Sequence, residues 1–350
     1  MARAITWWFI GAGACLLMLE LLFRLIPVST STETAYYTDP LILSYPPHHR
    51  WTTSTGWDLR NAQTLQANNL GYVASRDFAR DAQAVALIGD SYVEASMLAA
   101  PDRPGAQLER ALGTRPVYAM GSPGTALLDY AERIRFAHEQ LGVRDIVILM
   151  ERGDVRQSLC GSGNVHGPCL DSKTLLPRTE TLAPAGVAKR LLRQSALAQY
   201  LFSQLKFSPQ RLWRQAFAPS HPSGTAVSGA VLAAPTEPNQ GHARALATVD
   251  AVTQAFLERV KPHVAGRLVI VMDADRRALY AGQARADPER ERFMQLARAG
   301  GVIVVDAEPL VRAHLAKSPL KLDVGPQDGH LNALGVGLIM RAAADALRSP

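Results

Sequence analysis

Cysteine is scarce in this chain, with three in 350 residues, and neither an internal repeat nor a long block of like charge is present. So few cysteines cannot staple a fold together, and the missing repeat excludes a solenoid or an array. The net charge of +6 is modest for this length and the arginines are scattered, which argues against a nucleic-acid surface. A solvated face, or weak attraction to anionic lipid or polysaccharide, accounts for it. Disorder is excluded too, because 47% of the residues are hydrophobic and can supply a substantial core. One large domain with additions is expected.

Long apolar runs are absent except at the start, where Ile5 to Phe23 reads ITWWFIGAGACLLMLELLF. Residues 5–26 are long enough to cross a bilayer as a helix, with Trp7 and Trp8 where an interfacial aromatic belt falls. A cleaved signal and a lipoprotein signal with Cys15 as the lipidated residue are the alternatives. The apolar run continues well past Cys15, which favours a retained anchor. The Gly-Ala-Gly inside it lacks the strand, helix and acidic partner of a dinucleotide site.

Pro27 to Trp57 is rich in Ser, Thr, Pro and Tyr without periodicity, so residues 27–80 are expected to lead away from the membrane as a tether. Tyr36, Tyr37, Trp51 and Trp57 could stack on sugars or pack on the domain, and His48 and His49 read as surface residues. Farther on, Cys160 and Cys169 bracket CGSGNVHGPC, a span short enough to close as a disulfide in an oxidising compartment. Zinc held by both with His166 would need a fourth ligand that the neighbourhood does not offer. No metal or other cofactor is expected, and the compartment is expected to lie outside the cytoplasm, a periplasm in a diderm bacterium.

From Ala82 the chain alternates. Strands are expected near Val85 to Ile88, Pro116 to Ala119, Asp145 to Met150, Arg267 to Met272 and Val302 to Val305. Helices are expected near Pro104 to Leu112, Thr125 to Leu141, Leu246 to His263, Asp287 to Ala299 and Asn332 to Leu347. Such alternation implies an α/β domain over 81–350 with a parallel sheet covered on both faces, whose ligand sits beyond the carboxyl ends of the strands. Between about 155 and 241 the alternation breaks: Leu191 to Phe217 can form one or two amphipathic helices and Ala218 to Gln240 reads as a loop. This insertion could cap the site or be a surface excursion.

The stretch around which the rest is organised is Leu87-Ile88-Gly89-Asp90-Ser91-Tyr92-Val93-Glu94. An apolar strand stops at Gly89 and Ser91 heads the next segment, where the first free N–H groups of a helix would stabilise charge beside the hydroxyl. Ser91 could equally be a simple helix cap. A second stretch, Gln327-Asp328-Gly329-His330-Leu331-Asn332, bears on this choice. A serine needs a histidine to take its proton, and the histidine works best with a carboxylate on its other nitrogen. Residues i and i+2 of an extended segment lean to one side, so Asp328 and His330 can reach one pocket.

Together these stretches resemble the SGNH or GDSL hydrolase superfamily, in its membrane-tethered extracytoplasmic form. Gly89-Asp90-Ser91 matches the first block with its nucleophile, and Asp328-Gly329-His330-Leu331-Asn332 the last block with its acid and base. The resemblance covers about Ala82 to Arg348 and implies a three-layer sandwich with a parallel, flavodoxin-like sheet. It makes Gly124 the oxyanion glycine of the second block, with Gly121 as the other candidate. Asn68-Asn69-Leu70-Gly71-Tyr72 is similar to a turn found before the first block in tethered relatives. Two departures stand out. The third block reads Glu151-Arg152-Gly153-Asp154, so Gly153 has backbone alone where the family has an asparagine, and Arg152 or Asn164 could supply the donor. Relatives often place the acid three before the histidine, which is Gln327 here, so Asp328 is taken as the acid and Asp323 as the alternative.

The resemblance implies an acyl-serine esterase, or an O-acyltransferase if a sugar hydroxyl resolves the intermediate. The expected partner is an acylated carbohydrate or other ester of envelope or exported polysaccharide, with polysaccharide-assembly proteins nearby and no nucleic acid. Loss of the third-block asparagine keeps a second reading open, a non-catalytic protein that binds polysaccharide or scaffolds its assembly. A metal-dependent hydrolase using Asp328 and His330 is the third.

Overall fold

The computed structural model describes residues 2–30, 32–205, 238–283, 286–326 and 328–349. The expected loop at 218–240, the end of the helical stretch 191–217 and Gln327 fall largely or wholly outside them. The chain divides into two compact units, one of Met1–Ser31, Trp51–Thr64 and Ala185–Arg244, the other of Thr32–Arg50, Leu65–Pro184 and Ala245–Pro350.

The second unit is an α/β layer structure built on five parallel strands: β1 (Val85–Gly89), β2 (Val117–Gly121), β3 (Asp145–Met150), β4 (Leu268–Met272) and β5 (Ile303–Asp306). Their order is β2-β1-β3-β4-β5, in register from Val85 beside Val117 to Met272 beside Asp306. The strands are short apolar runs because both faces are covered. Ala86, Ile88, Met120, Ile148 and Ile270 face one layer, formed by α3 (Leu127–Glu139), α4 (Pro238–Val260) and α5 (Pro288–Ala299). Val85, Leu87, Ala119, Val147 and Val269 face the other, where α1 (Ser91–Glu94), α2 (Pro104–Leu112), α6 (Ala307–Leu315) and α7 (Ala333–Arg348) pack. Leu87 and Ile88 are fully buried. Truncating either to alanine should cost roughly 2 to 5 kcal/mol.

The strand order reverses at β1 and β3, so the crevice at the carboxyl ends of these two strands is the natural place for a ligand. The other expected helices start and stop within a few residues of the observed ones, with Asp287 and Asn332 as side-chain caps of α5 and α7, whereas α4 begins at Pro238, well before the expected Leu246. Among the helices not anticipated, besides the short Asp154–Gln157 and Arg276–Tyr280, α6 follows β5 directly, capped by Asp306 through the Glu308 N–H.

Part of the segment expected to be a tether is folded. Ala35–Asp39 pairs antiparallel with Ile42–Ser44, and Ile42 and Leu43 are buried. Tyr36 donates from its hydroxyl to the His166 carbonyl and accepts from the Leu182 N–H, so it is a packing residue. Asn68 closes the following turn by accepting at Oδ1 from the Leu70 and Tyr72 N–H groups.

In the first unit, Ala2–Leu25 is one helix of 24 residues, long and apolar enough to cross a membrane, at about 36 Å. Strand Arg50–Thr55 pairs with Arg60–Gln66, and short helices run over Val187–Leu192 and Ala196–Gln199.

Candidate active site

Gly89 ends β1 because a side chain has no room there: a Cβ would lie 2.5 Å from Val93 Cγ2 and 2.8 Å from the Leu149 carbonyl oxygen. Gly121, at the end of β2, is equally constrained, 2.3 Å from the Glu94 nitrogen. Both glycines let the single turn α1 sit directly on the strand ends.

The cap of that turn is Asp90, not Ser91. Asp90 Oδ1 accepts from the Tyr92 N–H at 2.8 Å, and its carbonyl accepts from Val93 and Glu94, each at 3.2 Å. This corrects the expectation that several free helix N–H groups surround the hydroxyl. One turn of helix has little dipole, and of its first donors only the Ser91 N–H is without a partner among the described residues. Burial raises the pKa of Asp90.

Freed from capping, the Ser91 hydroxyl meets His330, with 2.8 Å between Oγ and Nε2. His330 stands on a short strand, Asp328–Leu331, antiparallel to Asp323–Gly325. Extended backbone puts residues 328 and 330 on one side, and Asp328 Oδ1 lies 2.6 Å from His330 Nδ1 while also accepting from the His330 N–H at 3.0 Å. A carboxylate on Nδ1 fixes the tautomer with its proton there, which leaves Nε2 as the acceptor of the serine proton.

Two residues that the sequence reading missed hold this histidine. Tyr92 lies against the ring, with centroids 4.8 Å apart, and donates to the Gly329 carbonyl at 3.1 Å. Arg276 also donates to that carbonyl, packs over the Tyr92 ring and pairs with Asp273 and Asp323. Asp323 is therefore committed to Arg276, which removes it as the alternative acid. Tyr92 follows the serine directly and was within reach of the motif, whereas no local pattern signals Arg276.

Arg133, buried beneath the same edge, is a third. Its guanidinium donates to the Gly89 carbonyl at 2.6 Å and the Met120 carbonyl at 2.8 Å, and also to Thr125 Oγ1. It ties the ends of β1 and β2 together beneath the serine turn. Glu94 is fully buried as well, accepting from the Tyr45 hydroxyl at 2.8 Å, and burial pushes its carboxyl up to about 7.

The side expected to hold an oxyanion is built differently. Gly153 does not offer a free donor, because its N–H is taken by the Glu151 carboxylate two residues earlier. Arg152 is spent on Asp275 at 2.8 Å and on Asp287. Burial raises the pKa of Glu151 and, farther in, that of Asp154, which accepts from the Glu151 N–H and the Tyr130 hydroxyl. Gly121 is packed under α1. Gly124 remains, and its N–H has no partner among the described residues.

Beside Gly124 stand two side chains from the cysteine-bracketed loop. Asn164 Oδ1 and His166 Nε2 lie 4.0 and 3.8 Å from where a Cβ would be on Gly124. The Asn164 carboxamide makes no hydrogen bond among the described residues, while the His166 N–H is held by Asp129 Oδ1 at 3.2 Å. Cys160 and Cys169 are joined as a disulfide that closes this loop, so neither sulfur is a thiolate for a metal.

No family model and no curated protein sequence matches the chain. Among solved structures, the chain is similar to LAE5, described as an α/β-hydrolase enzyme from the metagenome of Lake Arreo, Spain. That match has 14% identity and a TM-score of 0.37, and covers 78% of this chain and 99% of that one. A second solved structure matches at 12% identity and a TM-score of 0.35, over 76% of this chain and 98% of its own. Fold and site together define an α/β protein with a Ser-His-Asp constellation at the carboxyl edge of a parallel sheet.

Proposed function

We propose that this chain is a membrane-anchored serine esterase or O-acyltransferase of the SGNH type, acting outside the cytoplasm on ester groups, O-acetyl above all, of envelope or exported polysaccharide. The observation that carries the chemistry is the hydrogen-bonded line Ser91–His330–Asp328. The strand order supports the SGNH reading, since 2-1-3-4-5 is the flavodoxin-like arrangement. The disulfide and the apolar helix support the compartment.

In the mechanism, His330 Nε2 takes the Ser91 proton as Oγ attacks the ester carbonyl carbon. The oxyanion that forms is held by the N–H groups of Ser91 and Gly124, and the Asn164 carboxamide, turned to present its Nδ2–H, takes the place of the missing third-block asparagine. His330, its charge balanced by Asp328, then gives the proton to the departing alkoxide, leaving acyl-Ser91. Water or a sugar hydroxyl loses its proton to His330 and attacks the acyl carbon; the bond to Oγ breaks, and His330 returns the proton to Oγ, restoring Ser91. Polysaccharide as substrate rests on analogy with tethered relatives.

The test is hydrolysis of an aryl acetate by the Ser91→Ala variant. Activity should fall to background, and undiminished turnover would remove Ser91 from the mechanism.

One observation favours a second reading. The Glu151 carboxylate occupies the backbone donor of the third block, as a site retired from catalysis would permit. A protein that only binds or scaffolds polysaccharide would retain glycan on a column yet never become acylated.

A further inference from the structure

In the first unit, a carboxylate sits inside the apolar helix. Glu20 lies five residues before the helix end, which is about 8 Å along the axis. A carboxylate there is costly in lipid unless partnered. Its partners come from far along the chain: Ser195 Oγ donates at 2.8 Å, and the N–H groups of Ala196 and Leu197 donate at 3.0 Å each. Arg24 donates to Glu20 and to the Gln194 carbonyl, and Phe23 stacks on Tyr200 with ring centroids 4.3 Å apart. Residues 194–200 are thus fastened to the last turns of the helix.

The residues on either side of this fastening carry uncovered apolar side chains. Val187, Leu191 and Leu192 are 64%, 62% and 51% exposed, and Phe202 and Leu205 are exposed too. On the helix Val187–Leu192, successive steps of about 100° put Val187, Leu191 and Leu192 on one arc and Lys189 and Arg190 on the opposite one. Neither Lys189 nor Arg190 has an ion-pair partner among the described residues. An apolar arc facing a basic arc is the pattern of a helix lying in a bilayer surface.

We infer that residues 187–205 form an interfacial segment that seats Val187, Leu191, Leu192 and Phe202 among the upper acyl chains, with Lys189 and Arg190 at anionic headgroups. The occupant of this face is the lipid bilayer, because the segment is fastened to the end of the one helix among the described residues that is long and apolar enough to cross it. The inference rests on Ala2–Leu25 being a retained membrane span, and it is independent of the chemistry at Ser91.

The test uses the full chain in nanodiscs of phosphatidylcholine with or without phosphatidylglycerol. An environment-sensitive fluorophore is placed on Leu191→Cys or Leu192→Cys in a Cys15→Ser background, and on native Cys15 as the reference. Spin-labelled lipid should quench the Leu191 and Leu192 probes by at least half, while aqueous iodide leaves them bright. Adding Lys189→Glu and Arg190→Glu should reduce lipid quenching severalfold in the anionic discs and little in neutral ones. If Cys15 is quenched by lipid but the 191 and 192 probes respond to iodide, the segment lies in water and the inference fails. Protection from both quenchers would mean that protein covers the face, which overturns it equally. A Cys15 probe beyond the reach of lipid would instead overturn the membrane span itself.

Discussion

The two sides of the candidate site were assembled in different ways. The proton-relay side comes from two contiguous motifs, each of which brings its own geometry: Asp90 caps the turn and so frees Ser91, and the two-residue spacing on an extended strand delivers Asp328 to His330. The side proposed to hold the oxyanion has no such local solution. There Gly153 and Arg152 are turned inward on Glu151, Asp275 and Asp287, and the carboxamide that stands near Gly124 arrives on a loop closed by a disulfide. Local encoding positions Ser91, His330 and Asp328, whereas the groups proposed for the oxyanion meet only through tertiary assembly.

This contrast can be broken from either side. The largest effect is expected from Asp328→Asn, which leaves the fold intact but offers His330 the wrong partner; kcat for an aryl ester should fall roughly 1,000-fold, with KM little changed. Equal activity would mean that the carboxylate is not the orienting acid. Next is Asn164→Ala, which removes one side-chain donor and should lower kcat roughly 100-fold, again with KM nearly constant. If the loss instead falls on KM alone, Asn164 binds substrate and the oxyanion side is backbone only.

The smallest effect concerns stability. Burial raises Glu94 from 4.5 to about 7, so the folded chain holds this proton more tightly than the unfolded chain does. The stabilisation is fully present below about pH 4.5 and is lost as pH rises through 7. Glu94→Gln should flatten that slope and stabilise the domain by roughly 3 kcal/mol at pH 8, with little change at pH 4.5, in denaturant titrations. A variant that keeps the wild-type slope would place the titration elsewhere.

The same contrast marks what the sequence made legible. The five strands could be read because burial on both faces leaves short apolar runs, and Ser91 and His330 because their motifs are contiguous. The cap could not be assigned, since Asp90 and Ser91 are both good caps and only the fold reveals which side chain turns back. Arg133 and Arg276 were invisible because their partners, Gly89, Met120, Gly329 and Asp323, lie 13 to 53 residues away on other elements. The strands of 35–66 were hidden by a Ser/Thr/Tyr composition that serves a half-exposed hairpin as well as a tether. Helix α6 did carry a signal, Asp306 before an amphipathic run, but the short spacing after β5 masked it.

The most direct measurement is mass spectrometry of the chain after exposure to a fluorophosphonate. Serine activated by His330 predicts a single adduct on Ser91, absent from Ser91→Ala and formed at least roughly 1,000-fold more slowly by His330→Ala. An unlabelled Ser91, or one labelled equally fast without the imidazole, would contradict the account.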